Sequence, residues 1–246
     1  MMAAVPLIID RIYKGIHLKI ENGGPFKKKL FHFCAQYKLK WAKRGMNTPL
    51  VNKLIFSKVT GTVGGNLKFL LVGGAPLASK AQEFVRTVLG VKLVQGYGLT
   101  ETIAVAAISD PNDMRTCQVG PPLVGVDLKL VSWPEGGYTV HDPCGPRGEI
   151  VIGGYHVARG YYNMPEKTAE DFFDGPEGYR WFKTGDVGQI LQDGSLKIVD
   201  RKKDLVKLQM GEYVSLGKGI IFFIFTDTCK FPSYTAYVPS ILHPIE

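Results

Sequence analysis

The residues best suited to chemistry lie in four short segments. Gln95-Gly96-Tyr97-Gly98-Leu99-Thr100-Glu101 sets two glycines around an aromatic ring and follows them with a hydroxyl and a carboxylate. Glycines after a strand let backbone N–H groups approach a phosphate. The Thr100 hydroxyl can donate to a phosphate oxygen. The Glu101 carboxylate suits Mg2+, a hard cation that prefers oxygen ligands, and the Tyr97 ring can stack on a flat base. Taken alone the segment is equally a plain strand-turn, because short glycine motifs arise by chance. Trp181-Phe182-Lys183-Thr184-Gly185-Asp186 places an Asp behind a glycine turn. There it can accept hydrogen bonds from ribose hydroxyls, or close an Asx-turn with its own backbone. Asp200-Arg201-Lys202-Lys203-Asp204-Leu205-Val206-Lys207 alternates charge, as a surface connector does, or as a source of cations for a phosphate or ribose. Gly73-Gly74-Ala75-Pro76-Leu77 is a glycine turn with no Ser, Thr or Lys, so it cannot serve as a phosphate loop.

These segments need elements to hold them. Leu67 to Val72 is a short apolar run that reads as a buried strand and ends at Gly73-Gly74. Ser79 and Gln82 have capping-box spacing for a helix that buries Ala81, Phe84, Val85, Val88 and Leu89 on one stripe. Gly90 stops that helix and Val91-Lys92-Leu93-Val94 begins a second strand. The result is a β-α-β unit, hence a parallel sheet in an α/β fold, with both glycine turns at the carboxyl ends of strands, where such folds bind ligands. Upstream, residues 5–45 read as helical and are split by Asn22-Gly23-Gly24-Pro25. From about residue 117 to 199 the texture changes to short strands: Arg147 to Gly154 is one, and Gln189 to Leu191 and Leu196 to Val199 flank an Asp193-Gly194 hairpin turn.

The chain has 246 residues, 45% of them hydrophobic and 21% charged, an ordinary globular composition that excludes disorder. The net charge of +8 is unevenly placed: residues 1–58 hold twelve Lys or Arg against Asp10 and Glu21, which gives +10 there and −2 over the remainder. A basic patch of this kind points to anionic lipid, a polyanionic substrate or nucleic acid, or is simply a solvated helix face. No nucleic-acid-binding module accompanies it, which makes nucleic acid the weakest of these. Cys34, Cys117, Cys144 and Cys229 have neither metal-ligand nor redox spacing and read as reduced thiols in a cytosolic setting. Met1 to Ile9 has no signal-peptide pattern. The run Ile220 to Phe225 is far shorter than the roughly 20 residues a membrane-spanning helix needs.

Taken together and in order, the four segments resemble the adenylate-forming superfamily, and most closely its long-chain fatty acid–CoA ligases. Val51 to Lys58, Gln95 to Thr102, Arg147 to Gly154, Lys167 to Asp171 and Asp200 to Lys218 carry the likeness, which covers residues 3–218. Gly211-Glu212-Tyr213-Val214-Ser215-Leu216-Gly217-Lys218 is similar to the animal subgroup that includes arachidonate-preferring members. The resemblance implies ATP-dependent formation of acyl-CoA through an acyl-adenylate, with ATP, Mg2+, coenzyme A and a long-chain fatty acid as ligands. Gly74, Ala75 and Pro76 would line the adenine pocket, Tyr97 would stack on adenine, and Gln95, Gly96 and Gly98 would stand beside it. Thr100 would touch the α-phosphate and Glu101 would help hold Mg2+. Asp186 and Arg201 would bind the ribose, and Lys207 would reach the nucleotide. Asp200 and Lys203 would belong to the hinge of a small C-terminal domain, and Gly211, Glu212 and Tyr213 to a loop that approaches coenzyme A.

The implied organisation is a partial large domain over residues 1–199, a linker at 200–205, the start of the small domain at 206–218 and a tail at 219–246 unlike the family. The large domain would divide into an α/β part at about 1–116 and a β-rich part at about 117–199. The family's Ser/Thr/Gly-rich phosphate loop would precede Val5 and its adenylation lysine would follow Lys218, so the expectation is a truncated form with little or no ligase activity. The implied address is the cytosolic face of the endoplasmic reticulum, the mitochondrial outer membrane or lipid droplets, with peripheral membrane contact. Two other functions are compatible: a ligase of the same superfamily for acetate, aromatic or amino acids, and a non-catalytic regulatory form binding nucleotide, a partner or anionic membrane.

Overall fold

The computed structural model describes residues 1–143, 145–207 and 213–215. Two sheets organise them. The first runs β1 (Met2–Ala4), β2 (Phe69–Val72), β3 (Lys92–Tyr97) and β4 (Ala107–Ile108), in that spatial order. β1, β2 and β3 are parallel and β4 returns antiparallel. The expected β-α-β unit is therefore present, with the α/β fold class it implies. β1 is a third parallel strand that hydrophobic periodicity does not reveal, since only three residues separate Met1 from the Val5-Pro6 helix start.

α1 (Pro6–Glu21) and α2 (Pro25–Ala42) each begin with Pro at the first helical position, where its missing N–H costs nothing. They are parted at Gly23-Gly24, with Gly24 at φ +91°. α1 buries Ile9 and Ile16, while α2 buries Phe31, Cys34 and Lys38. A helical stretch at 49–61 adds Phe56. The helix between β2 and β3 is α-helical over Ser79–Phe84 and π-helical over Val85–Leu89, and it buries the predicted stripe of Ala81, Phe84, Val85, Val88 and Leu89. Gly90, at φ +65°, ends it as expected. The capping box does not form. Ala78 is the N-cap, the Ser79 hydroxyl lies 2.9 Å from the Cys117 sulfur, and the Gln82 amide is fully buried without a hydrogen-bond partner among the described residues. Starting the helix one residue earlier turns Ser79 away from the free N–H groups that a capping side chain would take.

The second sheet is antiparallel: β5 (Asp127–Val131), β6 (Arg147–Gly153), β8 (Arg180–Ile190) and β7 (Phe172–Asp174) in order, with β9 (Leu196–Arg201) also on β8. The hairpin expected at Asp193-Gly194 joins β8 to β9, with Gly194 at φ +81°. A short hairpin of β10 (Leu205–Lys207) and β11 (Tyr213–Ser215) follows.

The sheets are stitched together. Leu196 N–H donates to Gly120 O and Val119 N–H to Leu196 O, both at 2.8 Å. The second core gathers Ala106 and Ala107 from the first sheet with Ile150, Ile152, Phe182 and Leu196 from the second. Tyr97 and Leu99 pack on its edge, so the chemistry-bearing turn sits at the seam.

Candidate nucleotide-binding site

β2 and β3 are in register from Phe69 with Lys92 to Val72 with Gln95, so Gly73, where the chain leaves β2, lies beside Gly96 near the end of β3. A β-carbon on Gly73 would lie 3.2 Å from Gly96 O. After β3 the chain passes Gly98 and enters a 3-10 turn at Thr100–Thr102. Ile103 and Ala104 then take positive φ of 51° and 78° and fold the chain back. A β-carbon on Gly98 would sit 1.8 Å from Ala104 O, so only glycine permits the return. Leu99 N–H donates to the Thr102 hydroxyl at 3.1 Å, which ties the turn internally.

Asp186 stands opposite this turn, on a bulge in β8. Val151 of β6 pairs with Lys183 and Glu149 with Val187, so Thr184, Gly185 and Asp186 face a single β6 residue. Their polar groups are nevertheless matched. The Thr184 hydroxyl donates to Ile150 O at 2.8 Å and accepts from Asp186 N–H at 3.1 Å, and Gly185 N–H donates to Glu149 at 3.2 Å. Gly185 has φ +70°, which favours glycine. The second Glu149 oxygen takes the Lys202 ammonium at 2.5 Å. One half-buried carboxylate thus pins the bulge to the segment after β9.

The bulge aims Asp186 at Tyr97. The Tyr97 hydroxyl donates to Asp186 Oδ2 at 2.9 Å, and Arg201, directly across from Asp186 on β9, donates Nε to Oδ1 at 2.7 Å. Asp186 is 5% exposed, and no Asx-turn forms. Burial, with the Asp186 charge second, pushes the Tyr97 hydroxyl well above its usual pKa, so it stays a donor. The hydrogen bond to Asp186 likewise raises Arg201. Beside them, the Gln95 side-chain carbonyl is buried without a partner among the described residues.

Glu101 is held from the second sheet's side. The Tyr161 hydroxyl donates to Glu101 Oε1 at 2.8 Å and lies 3.3 Å from Asp171 Oδ2. Ala158 N–H donates to the Glu101 backbone carbonyl at 2.9 Å. Burial first, then the bond to Glu101, raises the Tyr161 pKa. No hydrogen bond engages Glu101 Oε2 among the described residues. Thr100 is exposed at the mouth.

Below the turn an apolar cleft of about 620 Å³ runs between β1 and the glycines, lined by Ala4, Val5, Ile8, Val72, Gly74, Gly96, Gly98 and Val105 among others. The absence of side chains at the glycines keeps it open.

The fold therefore brings together Gly74, Gln95 to Glu101, Asp186 and Arg201. Ala75 and Pro76 are exposed on the neighbouring turn. Asp200 and Arg201 complete β9, and Lys203 is exposed in the 3-10 turn Lys202–Asp204. The Lys207 and Tyr213 backbones pair between β10 and β11. Gly211 and Glu212, called for the coenzyme A loop, lie outside the described residues. The positioning roles of Tyr161, Glu149 and Thr184 are not legible in the sequence, because each acts through a partner 34 to 60 residues away.

The profile of the AMP-binding enzyme family matches residues 1–162. The chain belongs to the AMP-binding enzyme family. It is 47% identical over 224 residues to long chain acyl-CoA synthetase 8 of Arabidopsis thaliana, covering 89% of this chain and 31% of that protein. To fatty acyl-CoA synthetase A of Dictyostelium discoideum it is 40% identical over 215 residues, 87% of this chain and 32% of the relative. The chain thus spans about a third of the length of the curated relatives it matches. Among solved structures it is similar to the A domain of carboxylic acid reductase from Segniliparus rugosus in complex with AMP and a co-purified carboxylic acid. The TM-score is 0.57 at 29% identity, over 88% of this chain and 29% of that one. O-succinylbenzoate coenzyme A synthetase from Bacillus subtilis, in complex with ATP and magnesium, aligns with TM-score 0.51 at 26% identity over 64% of this chain and 33% of that one. As an AMP-binding family member, the chain has the α/β architecture of the large domain of adenylate-forming enzymes.

Proposed function

We propose that this chain carries the adenine and ribose side of a long-chain fatty acid–CoA ligase. In the first step a fatty acid carboxylate attacks the α-phosphorus of ATP and pyrophosphate leaves. In the second the coenzyme A sulfur attacks the acyl carbon and AMP leaves. The observation that carries this reading is the Tyr97–Asp186–Arg201 chain of hydrogen bonds beside two glycine turns whose residues also line an apolar cleft. Asp186 would take the ribose hydroxyls with Arg201 steadying it, and the Tyr97 ring would face adenine, bounded by Gly74, Ala75, Pro76, Gly96 and Gly98. The unpartnered Gln95 carbonyl suits an exocyclic amine. Thr100 would donate to the α-phosphate, where preorganised donors act on developing charge. The cleft suits an alkyl chain whose carboxylate ends near Thr100.

Glu101 offers a carboxylate oxygen without a hydrogen-bond partner among the described residues, and Mg2+ is commonly held by one or two carboxylates plus substrate phosphates. Among the described residues no three His, Cys, Asp or Glu cluster as a metal cage. A bound Mg2+ would neutralise phosphate charge. Lys207 would approach the nucleotide, Asp200 and Lys203 would form the hinge, and Gly211, Glu212 and Tyr213 would meet coenzyme A. A preference for arachidonate-like chains rests on the Gly211 to Lys218 stretch alone. The proposed address is the cytosolic face of the endoplasmic reticulum, the mitochondrial outer membrane or lipid droplets. Among the described residues no helix is long and apolar enough to cross a membrane. The contact proposed for this chain is peripheral, through the basic helices.

The test offers the chain radiolabelled long-chain fatty acid, ATP, Mg2+ and coenzyme A. AMP and acyl-CoA formed from long-chain acids, at low turnover, support the reading. Preference for acetate, aromatic or amino acids overturns the acid assignment. No turnover together with no nucleotide binding overturns the ligase reading and favours a regulatory role.

A further inference from the structure

We propose that the outer flank of α2 docks flat onto an anionic lipid bilayer. The helix buries one face through Phe31, Cys34 and Lys38. Away from that face Phe26, Leu30, Phe33 and Tyr37 are exposed, with Phe26 at 77% and Phe33 at 68%. Their spacing of four, three and four residues lines them up along the helix. Phe33 stacks on Tyr37 with ring centroids 6.4 Å apart, and Tyr37 meets Trp41 edge-on at 6.0 Å, which extends the line to the helix end. Leu50 and Leu54 in the next helical stretch are likewise 74% and 70% exposed. A contiguous apolar line of this kind is a solubility liability unless something covers it.

The charges around it indicate what does. Lys27, Lys28, Lys29, Lys40, Lys43 and Arg44 are exposed on the same helix and its end. The acidic partners they find are Glu21 for Lys28, at 3.5 Å, and Glu83 for Lys43, at 3.1 Å. The first 58 residues hold twelve basic side chains against two acidic ones. An anionic leaflet attracts such a cluster through its surface potential. Phe, Tyr and Trp bodies settle at the boundary of headgroups and acyl chains, and the long Lys stems lie along apolar surface while their ammonium groups reach the phosphates. A helix with both features lies in the plane of the interface. This gives the membrane contact proposed above its surface, and it does not depend on the ligase chemistry.

Sedimentation with large vesicles tests it, using phosphatidylcholine with and without phosphatidylserine. The chain is expected to bind the phosphatidylserine vesicles and to leave them as salt is raised. Phe26→Ser combined with Phe33→Ser keeps every charge and is expected to weaken binding more than tenfold, roughly. Lys27→Gln, Lys28→Gln and Lys29→Gln together are expected to weaken it roughly 100-fold. All five side chains are exposed, so circular dichroism should stay unchanged, and ATP titration of the same samples keeps this inference separate from the nucleotide site. Absence of vesicle binding overturns the proposal. So does undiminished binding by the double serine variant, which would mean a purely electrostatic patch. A soluble dimer that the serine variant dissociates, without vesicle binding, would assign the stripe to a second copy of the chain and overturn it as well.

Discussion

At the scale of single residues the site is a set of side chains held by other side chains. Glu101 is fixed by Tyr161 at one oxygen and by Ala158 N–H at its backbone, which leaves Oε2 as the group that would meet a cation on the proposed reading. Tyr161 touches no proposed ligand and acts by positioning. Removing such a supporting group typically costs a metal site tenfold or more in affinity. Tyr161→Phe is therefore expected to weaken Mg2+-dependent ATP binding roughly tenfold and to leave AMP binding without Mg2+ unchanged, both read by calorimetry. An equal loss for AMP would mean that the hydroxyl only supports the fold. No sequence pattern could announce this contact, because Glu101 and Tyr161 lie 60 residues apart. The motif residues themselves were legible, since Gly96 to Glu101 combine glycine, aromatic, hydroxyl and carboxylate in six positions.

At the scale of elements, β2, its following helix and β3 could be read because apolar spacing and terminal glycines agree with the structure. β1 could not, because three residues before Pro6 carry no period. The capping box failed because the helix starts one residue earlier, at the Ala78 cap, and the Ser79 hydroxyl meets Cys117 from a distant segment. The bulge at Thr184 to Asp186 was readable as a glycine turn but not as an interruption within an eleven-residue strand. The return after β3 rests on one glycine. Gly98→Ala would press a β-carbon against the Ala104 carbonyl, an obstacle that is backbone and cannot rotate aside. The expected cost is roughly 2–4 kcal/mol in urea unfolding, with loss of nucleotide binding.

α2 contributes a pH dependence of its own. Burial pulls the Lys38 ammonium down to about 8 from 10.5. Its nitrogen lies 5.1 Å from the Phe56 ring centroid and close to Gly90 at the end of the 79–89 helix, where a cation is favoured. The folded pKa lies below the unfolded one, so between about 8 and 10.5 the unfolded chain binds more protons and stability rises with pH. Below about 8 the lysine is charged in both states and its burial opposes folding in full. Lys38→Met should raise stability at neutral pH by about 1–3 kcal/mol, and that advantage should shrink as pH climbs through the window. Urea unfolding at neutral and alkaline pH measures both.

At the scale of the whole molecule, the two sheets meet where the proposed chemistry lies. Tyr97 comes from the parallel sheet, Asp186 and Arg201 from the antiparallel one, and the Tyr97–Asp186 hydrogen bond crosses the seam. The same seam carries Val119, Gly120 and Leu196. Sequence texture separated an α/β half from a β-rich half, but which residues of each half meet is a consequence of packing and is written in no local pattern. On the proposed reading, a site shared by two sheets makes a demand on the folded chain that no single motif does: base, ribose and acyl group would have to be gripped together. The most direct measurement is calorimetric titration of the chain with a stable long-chain acyl-adenylate analogue, beside the Asp186→Asn variant. The account predicts one binding site in the parent chain and affinity lower by roughly tenfold or more in the variant, since a charged acceptor of hydrogen bonds is lost. Absence of binding by the parent, or equal binding by both, would contradict it.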